Sequence, residues 1–265
     1  MNPIFIKLGP ITIYWYSIFI LISLILGYYL SLKEAKKHNI TSDMIIDLLF
    51  YIVPIAIICA RLYYVIFNFD YYSLNLVEIF YIWHGGLAIH GALLGGCAYL
   101  IYYCRKHKLS FLLMTDIIVV SLFLGQALGR WGNFMNGEAF GTATTLAQLQ
   151  DLHIPSFIIK GMQIDGVYHL PTFYFESLGC IIGFIVLLLL RHKKNLQLGK
   201  LTSIYFIWYG TIRFFIESLR TDSLMIGSLK MAELVSIAMI GIGIIIWIHS
   251  SKMNKKYHEE MYHGK

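Results

Sequence analysis

The chain has 265 residues, of which 58% are hydrophobic and only 14% are charged, and its mean hydropathy is +0.66. A soluble domain of this length has too little interior to hide so much apolar surface, so the composition argues against a soluble globular protein. The net charge of +6 comes from short basic clusters between apolar runs. That pattern is typical of the cytoplasmic loops of a membrane protein, so we expect a lipid bilayer and no nucleic acid as partner.

Seven apolar runs are long enough, or nearly so, to cross a bilayer as helices. In chain order they cover residues 14–32, 44–67, 86–104, 111–129, 171–190, 201–219 and 231–249. They predict an all-α integral membrane protein with seven transmembrane helices, in which residues 1–265 form a single polytopic domain. The first run has neither a basic leader of the usual kind nor a small-residue cleavage site after it, so we expect no cleavable signal peptide.

Every second loop between these runs is rich in lysine and arginine, whereas the intervening loops are nearly free of lysine. Cytoplasmic loops carry the excess of basic residues, so the pattern predicts an N-terminus outside and a C-terminus in the cytoplasm. The region of about residues 130–170 is then external, and loops of this length are often lids or binding arms. The basic clusters are Lys33, Lys36 and Lys37; Arg105, Lys106 and Lys108; Arg191, Lys193, Lys194 and Lys200; and Lys252, Lys255, Lys256 and Lys265.

All four cysteines lie in apolar runs, and none forms a CxxC pair. This favours packing roles over a disulfide framework or a metal site, and we expect neither a metal nor an organic cofactor. The residues are Cys59, Cys97, Cys104 and Cys180.

The predicted orientation puts the polar residues of the runs into the outer half of the membrane. A transporter is expected to carry such groups near the midplane, so the clustering favours a site that opens to the outer leaflet and the exterior. Ordinary structural roles stay open: an interfacial belt for Tyr16, snorkelling for Arg61 and packing for His90. The residues are Tyr16, Arg61, His90, Arg130, Asn133, Asn136, Glu138, Glu176, Tyr209, Arg213, Glu217 and Arg220.

Tyr209, Arg213 and Glu217 are spaced four residues apart and share one face of a helix. An Arg213–Glu217 ion pair that neutralises itself is the simpler interpretation, but it leaves Arg220 and Arg130 unexplained. A site in which several arginines face one carboxylate has an excess of positive charge, which an anionic ligand neutralises. Because the planar guanidinium binds phosphate through two N–H groups, we expect a site for an anionic lipid headgroup.

The segment GRWGNFMNGEAFG, residues 129–141, ends the fourth run with polar groups that are costly at membrane depth unless they have partners. Gly129 and Gly132 allow close backbone approach or unusual turns. The arginine offers a phosphate-binding group, and the two asparagines either bind a headgroup or hold the loop. The glutamate orients an arginine or accepts a proton.

This segment resembles the signature of the bacterial prolipoprotein diacylglyceryl transferase family, whose pattern is close to G-R-x-G-N-F-x-N-x-E-x-x-G. The resemblance covers nearly the whole chain and includes the seven-span layout with an external N-terminus. Four further segments agree in order: GPITIYWYS near the start, CARLYYV in the second run, HGGLAIHGALLGG in the third and YGTIRFFIESLR in the sixth.

The resemblance implies an enzyme of the bacterial cytoplasmic (inner) membrane that moves a diacylglyceryl group from phosphatidylglycerol to the lipobox cysteine thiol in a prolipoprotein signal peptide. A thioether forms and glycerol 1-phosphate leaves, as the first step of lipoprotein maturation. The expected catalytic residues are His90, Arg130, Glu138, Tyr209, Arg213 and Glu217. The expected lipid-binding residues are Arg130, Tyr16, Asn133, Asn136 and Gly141, with Arg61 and Arg220 added from the residue pattern.

Two segments depart from the family pattern. In the seventh run, Glu233 stands where the family favours glutamine. The fifth run usually opens with His-Pro-Ser/Thr-Gln-Leu-Tyr-Glu, whereas this chain has HLPTFYFE. His169 is displaced by one place, and Phe173 and Phe175 stand where glutamine and tyrosine are usual, while Glu176 keeps its place. Roles for His169 and Tyr174 are therefore not carried over.

The implied reaction needs a thiolate and stabilisation of the charge on the leaving phosphate. A free thiol has a pKa of about 8.5, so a base or a positive field assists, and arginines in a dry site stabilise the phosphate. His90 is the leading candidate for the base, and the arginine field is the alternative source of the thiolate. Two other functions stay open: a lipid-binding or lipid-flipping transporter, which needs a polar path into the inner half, and a structural scaffold, which has no need of three arginines.

Overall fold

The computed structural model describes residues 2–9, 11–221, 225–226 and 229–263, most of which are helical. Each of the seven apolar runs forms a long helix. The helices of the fifth and sixth runs keep the predicted bounds to within one residue, and each of the others extends past one end of its run. The long helices are α1 (Trp15–Ala35), α2 (Ser42–Phe67), α4 (Ile89–Lys106), α5 (Phe111–Asn136), α8 (Thr172–Leu190), α9 (Lys200–Ser218) and α10 (Met231–Met253), and the short ones are α3 (Phe69–Leu74), α6 (Leu146–Asp151) and α7 (Ser156–Gly161).

Five of the described helices are long and apolar enough to cross a membrane: α1, α2, α5, α8 and α10. Helices α4 and α9 are more polar, since α4 ends in Arg105 and Lys106 and α9 carries Arg213 and Glu217. The chain is thus a mostly helical protein with five candidate spans, as expected of an integral membrane protein. The spanning of α4 and α9 stays a prediction.

Short strands, which the sequence analysis did not predict, pair in three places. Two of them form a hairpin directly before α1, where alternating apolar residues make too short a run to count as a span. The strands are β1 (Ile4–Leu8), β2 (Ile11–Tyr14), β3 (Ala143–Thr144), β4 (Gln163–Ile164), β5 (Val167–His169), β6 (Met225–Ile226) and β7 (Leu229–Lys230). Strands β1 and β2 pair, as do β6 and β7, and the third sheet has the order β3-β5-β4.

The chain packs as two compact units. The first contains residues up to 31 together with residues 115–260, and in it α9 packs against α8 and α10. The second contains residues 32–114 and the chain from 261 onward, and in it α2 packs against α4. The single polytopic domain stays a prediction, because compact units inside one membrane protein do not by themselves define domains.

The region of residues 130–170 is a folded cap. Its first part still belongs to α5, so the predicted end of the fourth run at residue 129 was too early. The rest forms α6, α7 and the β3-β5-β4 sheet, and Thr145 caps α6 through a capping box with Gln148. Its buried core consists of Phe134, Leu149, Ile154, Ile158, Ile159 and Met162, which pack with Phe173 of α8.

A buried carboxylate joins the two helices that carry the main arginines. Asp116 of α5 accepts hydrogen bonds from the backbone N–H of Gly199 (2.6 Å) and from the backbone N–H (2.8 Å) and hydroxyl (2.6 Å) of Thr202. These N–H groups belong to the first turn of α9, which has no helical partner for them. Asp116 therefore caps α9 and ties it to α5.

Candidate active site

An ion-pair cluster connects α5, α8 and α9 around one buried carboxylate. Glu176 of α8 has a side chain only 1% exposed, and its Oε1 lies 2.9 Å from Nη2 of Arg130. Its Oε2 lies 3.3 Å from Nη1 of Arg213, and the hydroxyl of Tyr209 donates to Oε1 at 3.2 Å. One carboxylate thus holds two arginines from different helices.

The predicted shared face of α9 is confirmed. Arg213 Nη2 lies 2.5 Å from Oε2 of Glu217, which is the expected pair four residues apart. Arg213 also reaches Glu176, as does Tyr209, so the Arg213–Glu217 pair is not self-contained. The face is therefore part of a network between helices.

The charge count made from the sequence was wrong. The arginines were expected to face one carboxylate, but Glu176 and Glu138 join Glu217, so three carboxylates accompany Arg130, Arg213 and Arg220. Lys230 of β7 supplies a further cation. Its Nζ donates to the backbone carbonyls of Glu217 (2.7 Å) and Arg220 (3.4 Å), and among the described residues it has no carboxylate partner. In the described part of the chain, these three arginines and Lys230 thus lie among three carboxylates.

The side chains of the signature segment form a second network. The amides of Asn133 and Asn136 both donate to Oε1 of Glu138, at 3.0 and 3.1 Å. Arg130 donates through Nη1 to Oδ1 of Asn133 at 3.2 Å. Oε2 of Glu138 has no partner among the residues that the structure describes. The asparagines therefore brace both the arginine and the glutamate while leaving one carboxylate oxygen available.

Two cavities meet at Glu138. The smaller, of about 180 Å³, is lined by Arg130, Asn133, Glu138, Ala139 and Arg220. The larger, of about 480 Å³, is lined by Pro3, Tyr14, Tyr16, Ser17, Asn136 and Glu138. Two guanidinium groups thus border one small space, and aromatic and polar groups border its larger neighbour.

A glycine of the signature permits the close approach of α1 to α5. A Cβ atom on Gly132 would lie 2.5 Å from Cδ2 of Tyr16 and 3.2 Å from its Cα. The expected close approach is confirmed here, but not at Gly129, where a Cβ atom would meet no described atom within 4 Å. Gly132 is therefore needed to seat Tyr16 at the larger cavity.

The end of the signature is tied to the divergent segment. Gly141 donates to the carbonyl of Leu170 at 2.8 Å and pairs with Arg220 in an antiparallel bridge. Nδ1 of His169 lies 2.9 Å from the carbonyl oxygen of Gly141. The displaced histidine thus contacts the signature backbone, next to a residue of the smaller cavity.

Two of the predicted site residues, Arg61 and His90, belong to the second compact unit. Arg61 of α2 is 4% exposed, and its guanidinium donates to four backbone carbonyls. His90 is the second residue of α4, with its ring centroid 5.9 Å from that of Tyr63. The binding of lipid by Arg61 stays a prediction, and its observed contacts favour a different role.

Three residues near the cluster had no role assigned from the sequence: Glu176, Lys230 and His169. Glu176 had a usable signal, because it is a carboxylate inside an apolar run and falls in the same predicted half of the membrane as the arginines. Lys230 precedes the last run and carries no pattern that links it to α9. Only the folded chain brings it to the carbonyls at the end of that helix.

The family model described as prolipoprotein diacylglyceryl transferase matches residues 3–249. Among similar proteins, the phosphatidylglycerol–prolipoprotein diacylglyceryl transferase of Ligilactobacillus salivarius (strain UCC118) is 50% identical over 240 residues, covering 90% of this chain and 89% of the relative. The protein of the same description from Listeria monocytogenes serotype 4a (strain HCC23) is 47% identical over 267 residues, covering 100% and 96%. That from Limosilactobacillus reuteri (strain DSM 20016) is 48% identical over 249 residues, covering 94% and 90%. The chain therefore belongs to the prolipoprotein diacylglyceryl transferase family.

Proposed function

We propose that this chain transfers the diacylglyceryl group of phosphatidylglycerol to the lipobox cysteine of prolipoproteins, the first step of lipoprotein maturation. Family membership and the names of its relatives support this reaction. The bond between the cysteine sulfur and a glycerol carbon forms, the bond between that carbon and a phosphate oxygen breaks, and glycerol 1-phosphate leaves. The thiol loses its proton in the process.

The smaller cavity is the proposed binding site for the lipid phosphate. Arg130 and Arg220 both border it, so two guanidinium groups face the same small space. A phosphodiester carries one negative charge, and the leaving monoester gains a second. Guanidinium groups held in place before the reaction stabilise this developing charge without reorganising.

Glu176 acts as a positioning residue in this scheme. It bridges Arg130 and Arg213 from within the protein, with Tyr209 as a third partner. Arg130 remains 21% exposed, so its guanidinium is available to a ligand while its orientation is fixed from behind. Glu217 fixes Arg213 in the same way.

The larger cavity is suited to the remaining part of the lipid headgroup or to the glycerol backbone. Tyr16 and Asn136 border it, and Glu138 offers an unoccupied oxygen among the described contacts. Gly141 keeps the backbone beside Arg220 in register. Tyr16, Asn133, Asn136 and Gly141 are thus assigned to lipid binding, directly or by support of the cavity walls.

His90 is proposed as the proton acceptor for the thiol, with the arginine field as the alternative source of the thiolate. An imidazole ring nitrogen can accept a proton from a thiol held within hydrogen-bond reach, which suits histidine to this step. Either source leaves a thiolate that attacks the glycerol carbon while the arginines receive the phosphate.

The proposed topology has seven spans, an external N-terminus and a cytoplasmic C-terminus, in the bacterial cytoplasmic (inner) membrane. The alternation of basic loops supports it. Helices α4 and α9 complete the seven, and their polar residues are expected to face protein instead of lipid.

The direct test is incubation of the purified protein with phosphatidylglycerol and a lipobox peptide. The expected result is a peptide mass gain of one diacylglyceryl unit, which is absent when the peptide cysteine is replaced by serine. Lipid movement across vesicles without any mass gain would contradict the transferase assignment and support a transporter.

A further inference from the structure

Arg61 occupies an unusual environment for a buried cation. Its side chain donates from Nε to the carbonyl of Ile79 (2.9 Å) and from Nη2 to that of Glu78 (2.5 Å). Its Nη1 donates to the carbonyls of Gly85 (2.7 Å) and Gly86 (3.1 Å). Four hydrogen bonds to neutral acceptors thus surround a side chain that has no carboxylate partner among the described residues.

These four acceptors lie at the two ends of one segment, residues 78–86. The guanidinium joins the pair at 78 and 79 to the pair at 85 and 86, and the ring of Tyr72 lies beneath it with its centroid 5.1 Å from Cζ. The planar fork of an arginine matches acceptors on several sides, whereas a lysine ammonium is a single point with three donors. Arg61 therefore holds the two ends of residues 78–86 together, and a lysine in its place does not make the same set of hydrogen bonds.

The backbone of the segment is adapted to the guanidinium. Gly86 has a φ of 75°, and a Cβ atom there would lie 2.5 Å from Nη1 of Arg61. Only glycine combines this conformation with this approach. Two residues later, the N–H of Ala88 donates to the carbonyl of Ala60 at 3.1 Å, so the segment stays bound to α2 up to the start of α4.

His90 lies directly beyond these anchors, as the second residue of α4. The next residue, Gly91, is buried, and a Cβ atom there would collide with the carbonyl oxygen of Cys59. The first turn of α4 is thus seated on the turn of α2 that carries Arg61. Contacts on both sides of His90 in the sequence therefore fix the position of its backbone.

We propose that Arg61 is a positioning residue for His90 and does not bind the lipid phosphate. It acts through residues 78–86, which it holds against α2, and thereby sets the start of α4. This inference rests on the proposed function, in which His90 serves the transfer step. A loss of Arg61 then disturbs the same step that a loss of His90 disturbs, and leaves binding of phosphatidylglycerol largely intact.

A double-mutant cycle in the full-length, detergent-solubilised enzyme tests this proposal. The variants are Arg61→Lys, His90→Gln and the two combined, assayed for kcat and for the KM of phosphatidylglycerol. Arg61→Lys is expected to lower kcat by about tenfold or more, up to the 10²–10⁴-fold that a general base contributes in full. The same change in the His90→Gln background is expected to add little, since residues that act together are not additive.

Three outcomes would overturn the proposal. Equal losses from Arg61→Lys in both backgrounds would mean that it acts independently of His90. A raised KM for phosphatidylglycerol with unchanged kcat in Arg61→Lys would indicate that Arg61 binds the lipid. Wild-type turnover by His90→Gln would remove His90 from the reaction, and the positioning role with it, while transfer by the wild-type protein would still uphold the diacylglyceryl transferase assignment.

Two further variants separate positioning from misfolding. Gly86→Ala disturbs the same contact from the loop side and keeps the arginine, so it is expected to match Arg61→Lys and answers the question if that variant does not fold. Arg105→Lys alters an exposed arginine in the last turn of α4 and is expected to behave as wild type. Melting of each purified variant checks its folding.

Discussion

Arg130 combines a buried ion pair on one side with a cavity on the other. Its Nη2 is held by Glu176 and its Nη1 by Asn133, so the plane of the guanidinium is fixed before any ligand binds. Charge-assisted, planar contacts of this kind depend on geometry as much as on charge. At the scale of single residues, the orientation of the arginines is therefore as important as their number.

Arg130→Lys is expected to lose most transfer activity although its charge remains. Lysine has no planar fork with which to bind Glu176 and a phosphate together, so kcat/KM should fall by about 10² or more, which corresponds to a few kcal/mol. The measurement is diacylglyceryl transfer to a lipobox peptide. Near-wild-type turnover would leave Arg130 with a structural role only.

Glu176→Gln is expected to reduce both stability and turnover. The change keeps the shape of the side chain but leaves Arg130 and Arg213 without the carboxylate between them, and breaking a buried pair costs about 3–5 kcal/mol. The matched control is Glu259→Gln, which removes an exposed carboxylate paired with Lys256 and should cost about 1 kcal/mol or less. Equal melting temperatures for the two variants would contradict this role of Glu176.

His90→Gln is expected to slow transfer by about 10²–10⁴-fold if His90 is the general base. The defect should shrink as the pH approaches the thiol pKa of about 8.5, because the peptide then arrives ionised. The measurement is the rate between about pH 6 and 9 for folded variant and wild type. A parallel profile would eliminate the base role and favour the arginine field.

At the scale of elements, the helices that carry the ion-pair cluster are held together by residues that lie far from that cluster in sequence. Asp116 caps α9 from α5, so one carboxylate sets the position of the helix that presents Tyr209, Arg213 and Glu217. The folded cap of residues 130–170 acts at the other end of α5, where Leu170 binds the backbone of Gly141. The cluster thus lies between two sets of contacts that involve α5.

Asp116→Asn is expected to lower the free energy of unfolding by about 1–3 kcal/mol. An asparagine has no charge for the three donors to share, and its NH₂ group faces at least one of them. The buried N-terminal capping of α9 is therefore weakened. Thermal unfolding in detergent measures the loss, and Asp151→Asn, at an exposed position of α6, is the control. An unchanged melting temperature would show that the cap contributes little.

At the scale of the whole molecule, the alternation of basic loops makes the topology testable. Cysteines placed singly at the exposed positions 36 and 160, in a variant whose four native cysteines are alanine, are expected to differ in labelling. An impermeant reagent on intact spheroplasts should label position 160 only, and position 36 after lysis. The opposite pattern would reverse the topology, and retained transfer by the cysteine-free variant is the control.

The sequence by itself determined the helices and the chemistry of the site. Apolar runs are expected to form helices in a bilayer because the backbone has no water to bind there, and all seven runs are helical in the structure. The spacing of Tyr209, Arg213 and Glu217 defined one helix face for the same local reason. Local periodicity and the signature segment therefore sufficed for the family and for the principal arginines.

Only the tertiary structure decided which side chains meet. Glu176 and Lys230 joined the arginines, and the charge balance changed, because contacts between helices depend on packing that no periodicity encodes. Arg61 looked like a phosphate ligand in sequence, yet the folded chain surrounds its guanidinium with four carbonyls. The sequence shows which residues are charged, but the packing of the helices determines which partner each of them contacts.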